Sequence, residues 1–327
     1  MRGGAGRTLV VFGWHSVGPT WFTPSPRRTA LRGLERQLRG LRAGFSVVPL
    51  GEALERLESG GPLPRRAAAI TFDDGYRDNL ELAAPLLRRL GLPATFFLVP
   101  SLLDGARAWW EVVAWAFARS SRDELAWEGG RWPLAGVARR RAAMAEVCER
   151  LKPRDRAARD RAVDELVEGL APRGAHGDGL FLDWDGARRL ARVPGAEIGS
   201  HSRHHEILSR ESAAAQVADL AEARRRLMRE LDLPVLGLAY PNGTRADYDE
   251  RTVAAARAAG HRWAITSETG VNRAGTPPYE LRRAMVSPGD GAAGLLRPWP
   301  VRSWIRARLP AARAAAGRAA RASPRGS

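Results

Sequence analysis

The stretch Ala67-Ala68-Ala69-Ile70-Thr71-Phe72-Asp73-Asp74-Gly75-Tyr76 decides the fold class of this chain. Residues 67–72 form an apolar run of strand length, two adjacent carboxylates and a glycine follow, and a helical pattern then begins. In that pattern Leu82, Leu86, Leu87 and Leu90 recur at helical spacing, until Gly91 and Pro93 stop it. The unit is strand, turn, helix, and it repeats in both directions. Apolar runs at 8–13, 45–48, 94–99, 196–199, 235–240, 262–266 and 281–286 read as further buried strands. Helical patterns fill 29–43, 51–57, 185–193, 211–231 and 247–259. Such alternation argues for an α/β protein with a parallel sheet, and its repetition points to a distorted (β/α) barrel of about seven strands.

Two regions break the rhythm. Residues 104–182 carry helical patterns and five tryptophans, Trp109, Trp110, Trp115, Trp127 and Trp132, but no convincing strand, and read as a helical insertion. The expected organisation is a barrel over residues 1–290 and a basic tail over 291–327. In the tail Trp299, Trp304, Ile305 and Leu309 alternate with arginines, and no acid occurs from Arg297 onward. A frayed end is one reading of it, and a basic amphipathic segment on an anionic membrane is the other.

The chain has 327 residues, 44% of them hydrophobic, enough for a sizeable core without staples. The lone Cys148 cannot form an internal disulfide, which leaves the compartment open. Basic residues outnumber acids 52 to 36, for a net charge of +16, which raises the question of nucleic acid. Yet Lys152 is the only lysine, and the arginines lie mostly on helices that also carry acids, as at 222–230. No nucleic-acid partner is expected. The apolar run at 8–14 leads straight into Trp14-His15-Ser16 rather than a cleavage site, and no run approaches the roughly 20 apolar residues of a membrane span. The expectation is a cytoplasmic protein, membrane-associated if the tail is amphipathic.

The strand over 67–72 ends in Asp73 and Asp74. In a parallel barrel the strand C-termini face the active-site mouth. Successive strand residues point to opposite faces, but a glycine turn directly afterwards can aim both carboxylates at the mouth. The structural alternative is that one of them caps the next helix. A second strand, 196–199, runs into Ser200-His201-Ser202-Arg203-His204-His205. On a helical turn His201 and His205 would share one face, a spacing suited to a single metal, with His204 as a rival ligand. Two imidazoles and one carboxylate leave coordination positions open, the pattern of a catalytic site, and a second carboxylate beside the metal can serve as general base.

Thr71-Phe72-Asp73-Asp74-Gly75, His201-Ser202-Arg203-His204-His205 and Ala239-Tyr240-Pro241-Asn242-Gly243 together resemble the polysaccharide deacetylases, which include chitin, peptidoglycan and nodulation-factor deacetylases. The resemblance covers roughly residues 8–103 and 180–287. It implies metal-dependent removal of N-acetyl groups from amino-sugar residues, with Asp73 as general base and Asp74, His201 and His205 as ligands of a divalent metal, zinc with cobalt or nickel as alternatives. Tyr240, Pro241 and Asn242 would wall the substrate groove, and a backbone N–H there would help hold the oxyanion. Many members have an arginine where Leu238 stands, so the arginine that steadies the catalytic Asp must come from elsewhere, and Arg283 is the candidate. The usual C-terminal histidine is missing, since none follows His261. Trp14-His15-Ser16-Val17 resembles the N-terminal motif of a branch acting on poly-N-acetylglucosamine, which makes His15 the candidate general acid. The bland alternative for His15 is a strand histidine with a satisfied hydrogen bond.

The implied partner is an N-acetylated glycan. The tryptophans of the insertion could stack on sugar rings, although packing within a small subdomain is the plainer reading. A glycoside hydrolase needs carboxyl groups about 5–9.5 Å apart across a glycosidic bond, which adjacent aspartates serve poorly. An O-acetyl esterase on the same scaffold and a non-catalytic carbohydrate-binding protein are the remaining alternatives.

Overall fold

Eleven strands form in the computed structural model, which describes residues 8–23, 27–177 and 179–286. They are β1 (Thr8–Trp14), β2 (Ser46–Val47), β3 (Ala67–Phe72), β4 (Ala94–Leu98), β5 (Glu124–Trp127), β6 (Gly130–Pro133), β7 (Ala196–Ser200), β8 (Gly237–Ala239), β9 (Trp263–Ile265), β10 (Asn272–Arg273) and β11 (Ala284–Met285). The order β1-β3-β4-β7-β8-β9 is parallel throughout. β2 pairs with the first half of β3 while β4 pairs with its second half, which distorts the sheet at that edge. Closure comes from the chain's last described segment. Leu281 exchanges backbone hydrogen bonds with Ala264 and Thr266, and three residues on, from Ala284, β11 runs parallel to β1. The sheet therefore curls into the expected barrel, and residues 281–285 join its two edges. The tail expected over 291–327 lies outside the described residues.

Residue parity sorts the core into two layers, because strand side chains alternate between faces. Leu9 and Val11 of β1, Ala67 and Ala69 of β3, Phe97, Ala239, Ile265 and Leu281 point into the barrel. Helix Leu50–Glu58 plugs the base of this interior with Leu50, Ala53, Leu54 and Leu57. The opposite parity, including Val10, Phe12, Ala68, Ile70, Phe72, Phe96 and Ile198, packs outward on helices Arg27–Gly44, Ala84–Leu90 and Trp184–Ala191. Each fully buried Leu, Ile or Phe contributes about 1.5–3 kcal/mol, so both layers are needed to hold the strands in register. Helix Ala84–Leu90 follows a short π-helical segment, Asn79–Ala83, and stops at Gly91, whose φ of 67° is the left-handed cap that the Gly91 and Pro93 signals predict.

The insertion differs from the sequence reading in one respect. Besides helices Trp109–Arg119, Val137–Leu151 and Arg156–Leu170 it contains the antiparallel hairpin β5–β6. Glu128 (φ 44°) and Gly129 (φ 73°) make its two-residue turn, the geometry that matches strand twist. The strands are four residues long and only Leu125, Trp127 and Trp132 face inward, too short an alternation to stand out in sequence. Trp115, Trp127 and Trp132 belong to the insertion's own core with Phe117, Val147 and Leu166, so for these three the packing role holds. Among the described residues no helix is long and apolar enough to cross a membrane.

Gly199 of β7 lies beside Phe97 of β4, and a Cβ on it would come within 2.4 Å of the Phe97 ring. Phe97 fills the barrel interior beneath the site. Gly199→Ala should therefore lower stability by about 1–3 kcal/mol through overpacking, read as a reduced urea midpoint at unchanged m-value.

Candidate active site

Parity aims the first carboxylate. Asp73 continues the inward series Ala67, Ala69, Thr71, and its N–H still bonds the Trp14 carbonyl at 2.9 Å. Asp74 should point outward by the same rule. It does not, because its own φ is 72° and that of Gly75 is 77°, so two successive left-handed residues swing it back over the barrel. Asp tolerates this conformation better than most residues, and at Gly75 a Cβ would also press on Leu98 at 3.1 Å. Both carboxylates are almost fully buried, and neither appears as the cap of the following helix.

Arg283 meets Asp73 with two parallel hydrogen bonds of 2.7 Å, one to each carboxylate oxygen. It is itself 2% exposed and shares parity with Leu281, on the segment that closes the barrel. Two further N–H groups reach Thr71 Oγ1 and the Thr266 carbonyl, and the ring of Phe97 lies 5.9 Å below. Burial alone would raise the Asp73 carboxyl, but the Arg283 guanidinium, helped by His201 and His15, holds it below its ordinary value of 3.8.

His201 and His205 converge on the other carboxylate, with Nε2 atoms 3.3 and 3.4 Å from Asp74 Oδ1. The expected helical turn is absent. The residues form a loop in which Ser202 (φ 62°) and His205 (φ 57°) are left-handed, and Ser202 Oγ accepts the His205 N–H at 3.0 Å. His204 turns away to Arg156, 2.8 Å from its Nδ1, and is not a rival ligand. His201 Nδ1 bonds the Ala239 carbonyl at 2.7 Å, which places the proton there and the Nε2 lone pair toward Asp74. Asp74 Oδ1 is buried with no hydrogen-bond partner, and the three ligand atoms lie within 4.8 Å of one another. This donor set fits one divalent cation. Burial pushes His205 down to about 4, so it is neutral at pH 7. His201, more deeply buried, is lifted instead by Asp73 and Asp74, the same field that would hold a cation.

His15 continues the inward parity of β1 past Trp14. It is half-exposed at the mouth, with Nε2 4.0 Å from Asp73 Oδ2. Two residues that the sequence reading missed hold its loop. Asp78 accepts from Ser16 Oγ and from the N–H groups of Val17 and Gly18, and the Asn79 amide bonds the His15 carbonyl at 3.0 Å. An Asp-Asn pair a few residues after a catalytic turn is the signal that could have marked them.

The Tyr240-Pro241-Asn242 expectation needs correction at its first residue. Tyr240 is 1% exposed, stacks on Tyr248 and donates its O–H to the Tyr279 carbonyl, so its side chain cannot wall a groove. It shares outward parity with Leu238, toward helix Glu250–Ala258. Its N–H bonds Ile265, Pro241 has none, and Gly243 N–H bonds the Pro241 carbonyl. Asn242 alone in this turn keeps an N–H with no intramolecular acceptor among the described residues, at a residue held left-handed with φ 58°.

Arg283→Met should strand the buried Asp73 charge and cost about 3–5 kcal/mol at pH 7 in urea unfolding. Because the folded pKa of Asp73 is depressed, its stabilising contribution is present above 3.8 and is lost as pH falls through the lowered value. That acid-side loss should shrink in the variant, seen by repeating the unfolding series toward acid pH.

The model of the polysaccharide deacetylase family matches residues 60–264, more than half of the chain. The poly-β-1,6-N-acetyl-D-glucosamine N-deacetylase of Escherichia coli is 30% identical over 97 residues, covering 29% of this chain and 14% of that protein. The chain thus matches only a small part of that relative's length. The Streptococcus pyogenes deacetylase PplD, solved in complex with acetate, shares the fold with a TM-score of 0.60 at 16% identity, over 90% of this chain and 99% of that one. IcaB from Ammonifex degensii does so with a TM-score of 0.56 at 20% identity, over 89% and 96%. Since the matched span runs through the turn of Asp73 and Asp74 and the loop of His201 and His205, the chain belongs to the polysaccharide deacetylase family.

Proposed function

We propose that the protein hydrolyses N-acetyl groups from amino-sugar residues of a glycan, a polymer of the poly-N-acetylglucosamine kind. One observation carries the reading. Asp73, kept ionised by Arg283, presents Oδ2 at 4.0 Å from both His15 and His201, beside the three donors Asp74, His201 and His205. The name of the Escherichia coli relative supports the choice of polymer. A divalent ion held by Asp74, His201 and His205, zinc with cobalt or nickel accepted by the same donors, would polarise a carbonyl and bring the pKa of water toward ~7.

The chain's own groups then divide the proton work. Asp73 takes the proton of the attacking water on Oδ2, while its bonds to Arg283 fix the carboxylate in place. The Asn242 N–H offers a hydrogen bond to the oxygen that gains charge as the acetyl carbonyl becomes tetrahedral. His15, at the mouth and half-exposed, gives a proton to the departing nitrogen. An amide nitrogen cannot leave as an anion, whereas an alkoxide leaves far more readily, so a placed acid favours the N-acetyl over the O-acetyl reading.

Acetate release from N-acetylglucosamine oligomers should vanish on stripping metal and return with zinc or cobalt. Asp73→Asn should lower turnover by about 10²–10⁴-fold with metal content unchanged, and His205→Ala should lose the metal by elemental analysis. A near-normal rate in Asp73→Asn would remove it as the base. His15→Gln should slow N-acetyl hydrolysis far more than hydrolysis of an O-acetyl sugar, and equal slowing of both would argue against His15 as the acid.

A further inference from the structure

The turn after β8 has a geometry that a chain does not adopt unaided. The Gly243 N–H closes a three-residue ring onto the Pro241 carbonyl at 2.6 Å, around Asn242 with its φ of 58°. This is a γ-turn of the rare, strained hand. All peptide bonds among the described residues are trans, so the Asn242 N–H points opposite to the Pro241 carbonyl and away from the ring. The turn stands beside the metal donors, because the Ala239 carbonyl just before it accepts from His201 Nδ1 at 2.7 Å.

One residue from another loop grips this turn. Ser267, two residues past β9, donates its N–H to the Gly243 carbonyl at 2.9 Å and its Oγ–H to the Asn242 carbonyl. The peptide between Asn242 and Gly243 is therefore held at both ends, its N–H by Pro241 and its carbonyl by Ser267. Gly243 is the point of contact, since a Cβ there would meet the Ser267 nitrogen at 2.9 Å and its Oγ at 3.2 Å. The residues on either side of Ser267 hold the arginine of the base: Thr266 and Glu268 accept through their carbonyls from Arg283 Nε and the Arg283 N–H.

Resting on the deacetylase reading above, we infer that Ser267 is a positioning residue, whose hydroxyl keeps the Asn242 N–H aimed at the oxygen that gains charge. Residues 266–268 thereby align the oxyanion donor and the base from a single segment. Without the Oγ the peptide between Asn242 and Gly243 is free to rotate and the γ-turn to relax, which swings the N–H off its line. That N–H is used in the transition state more than in the ground state, so turnover suffers rather than substrate binding.

The test uses full-length, zinc-loaded protein carrying Ser267→Ala, with Ser267→Thr as the variant that keeps the hydroxyl. Kinetics are read on N-acetylglucosamine oligomers. Calorimetry reads the affinity for the methylphosphonamidate of glucosamine, whose tetrahedral phosphorus carries the charged oxygen. Ser267→Ala should lower kcat by about 10–100-fold with KM and metal content unchanged, and weaken the phosphonamidate by a similar factor. Ser267→Thr should restore most of both. Ser267 is half-buried on a loop, and its replacement leaves the strand ladders intact. Phosphonamidate binding that depends on the Ser267 hydroxyl, in a parent that releases no acetate, would sustain the positioning role and sink the deacetylase reading instead. Full phosphonamidate affinity in Ser267→Ala overturns the positioning role. So does a loss that falls on KM or metal content, or one that Ser267→Thr does not restore.

Discussion

The ion pair between Asp73 and Arg283 is the constraint around which the rest of the structure is arranged. Both groups are almost wholly out of water, and a buried charge is tolerated only with a well-placed partner and its remaining hydrogen bonds met. The partners lie 210 residues apart, so the pair exists only once the barrel is closed. Closure in turn depends on residues 281–285 reaching both β9 and β1. Thr71 and the Thr266 carbonyl take two more of the guanidinium protons, and Phe97 lies beneath the guanidinium. Gly199 lacks a side chain where the Phe97 ring passes. Catalytic geometry and barrel closure are thus one requirement. A chain that failed to close would leave a carboxylate buried and alone.

The site also concentrates backbone strain. Of the eight non-glycine residues with positive φ among the described residues, Asp74, Ser202, His205 and Asn242 border it. Each reverses a direction that the strand before it would impose. Asp74 is brought back from the outer face, His205 is returned beside His201, and Asn242 is left with an unspent N–H. Conformations of this sort cost of order 1–3 kcal/mol each and persist where the surroundings over-determine them. Here the β3, β7 and β8 ladders run to within a few residues of each reversal, so the strain is carried by rigid strands.

Much of this was legible in the sequence, and the illegible part has a definite physical character. Strand and helix alternation exposed the barrel because both layers of its core repeat locally. The two-aspartate turn and the histidine cluster stood out because polar residues directly follow apolar strands. Parity held more information than the motifs alone: His15, Asp73, His201 and Arg283 each extend the inward series of their strand, and Tyr240 extends the outward one. Applied to Leu238 and Tyr240, it would have kept the tyrosine out of the groove. Backbone reversals at Ser202 and His205 were not legible, since neither residue favours the left-handed region as glycine does, and a helical turn explained the same spacing. The Asp78 and Asn79 contacts to the His15 loop span about 60 residues, beyond any local pattern.

The insertion was the least legible region, and it bears directly on the chemistry. Glu111 on its first helix is fully buried and accepts from the Tyr76 O–H at 2.9 Å and the Phe22 N–H at 3.1 Å. Trp110 donates to the same Tyr76 oxygen and packs on His205. Tyr76 follows the aspartate turn, Phe22 lies beyond His15 on the loop after β1, and His205 belongs to the loop after β7. One helix turn therefore braces three loops that come from three different strands. Burial raises the Glu111 carboxyl, so the bonds it accepts offset a desolvation cost that only a docked insertion imposes. Barrel strands fix the reacting groups to one another, while the insertion fixes the loops around them. Sequence can therefore vary on the insertion's outer side without disturbing the Asp73–Arg283 pair.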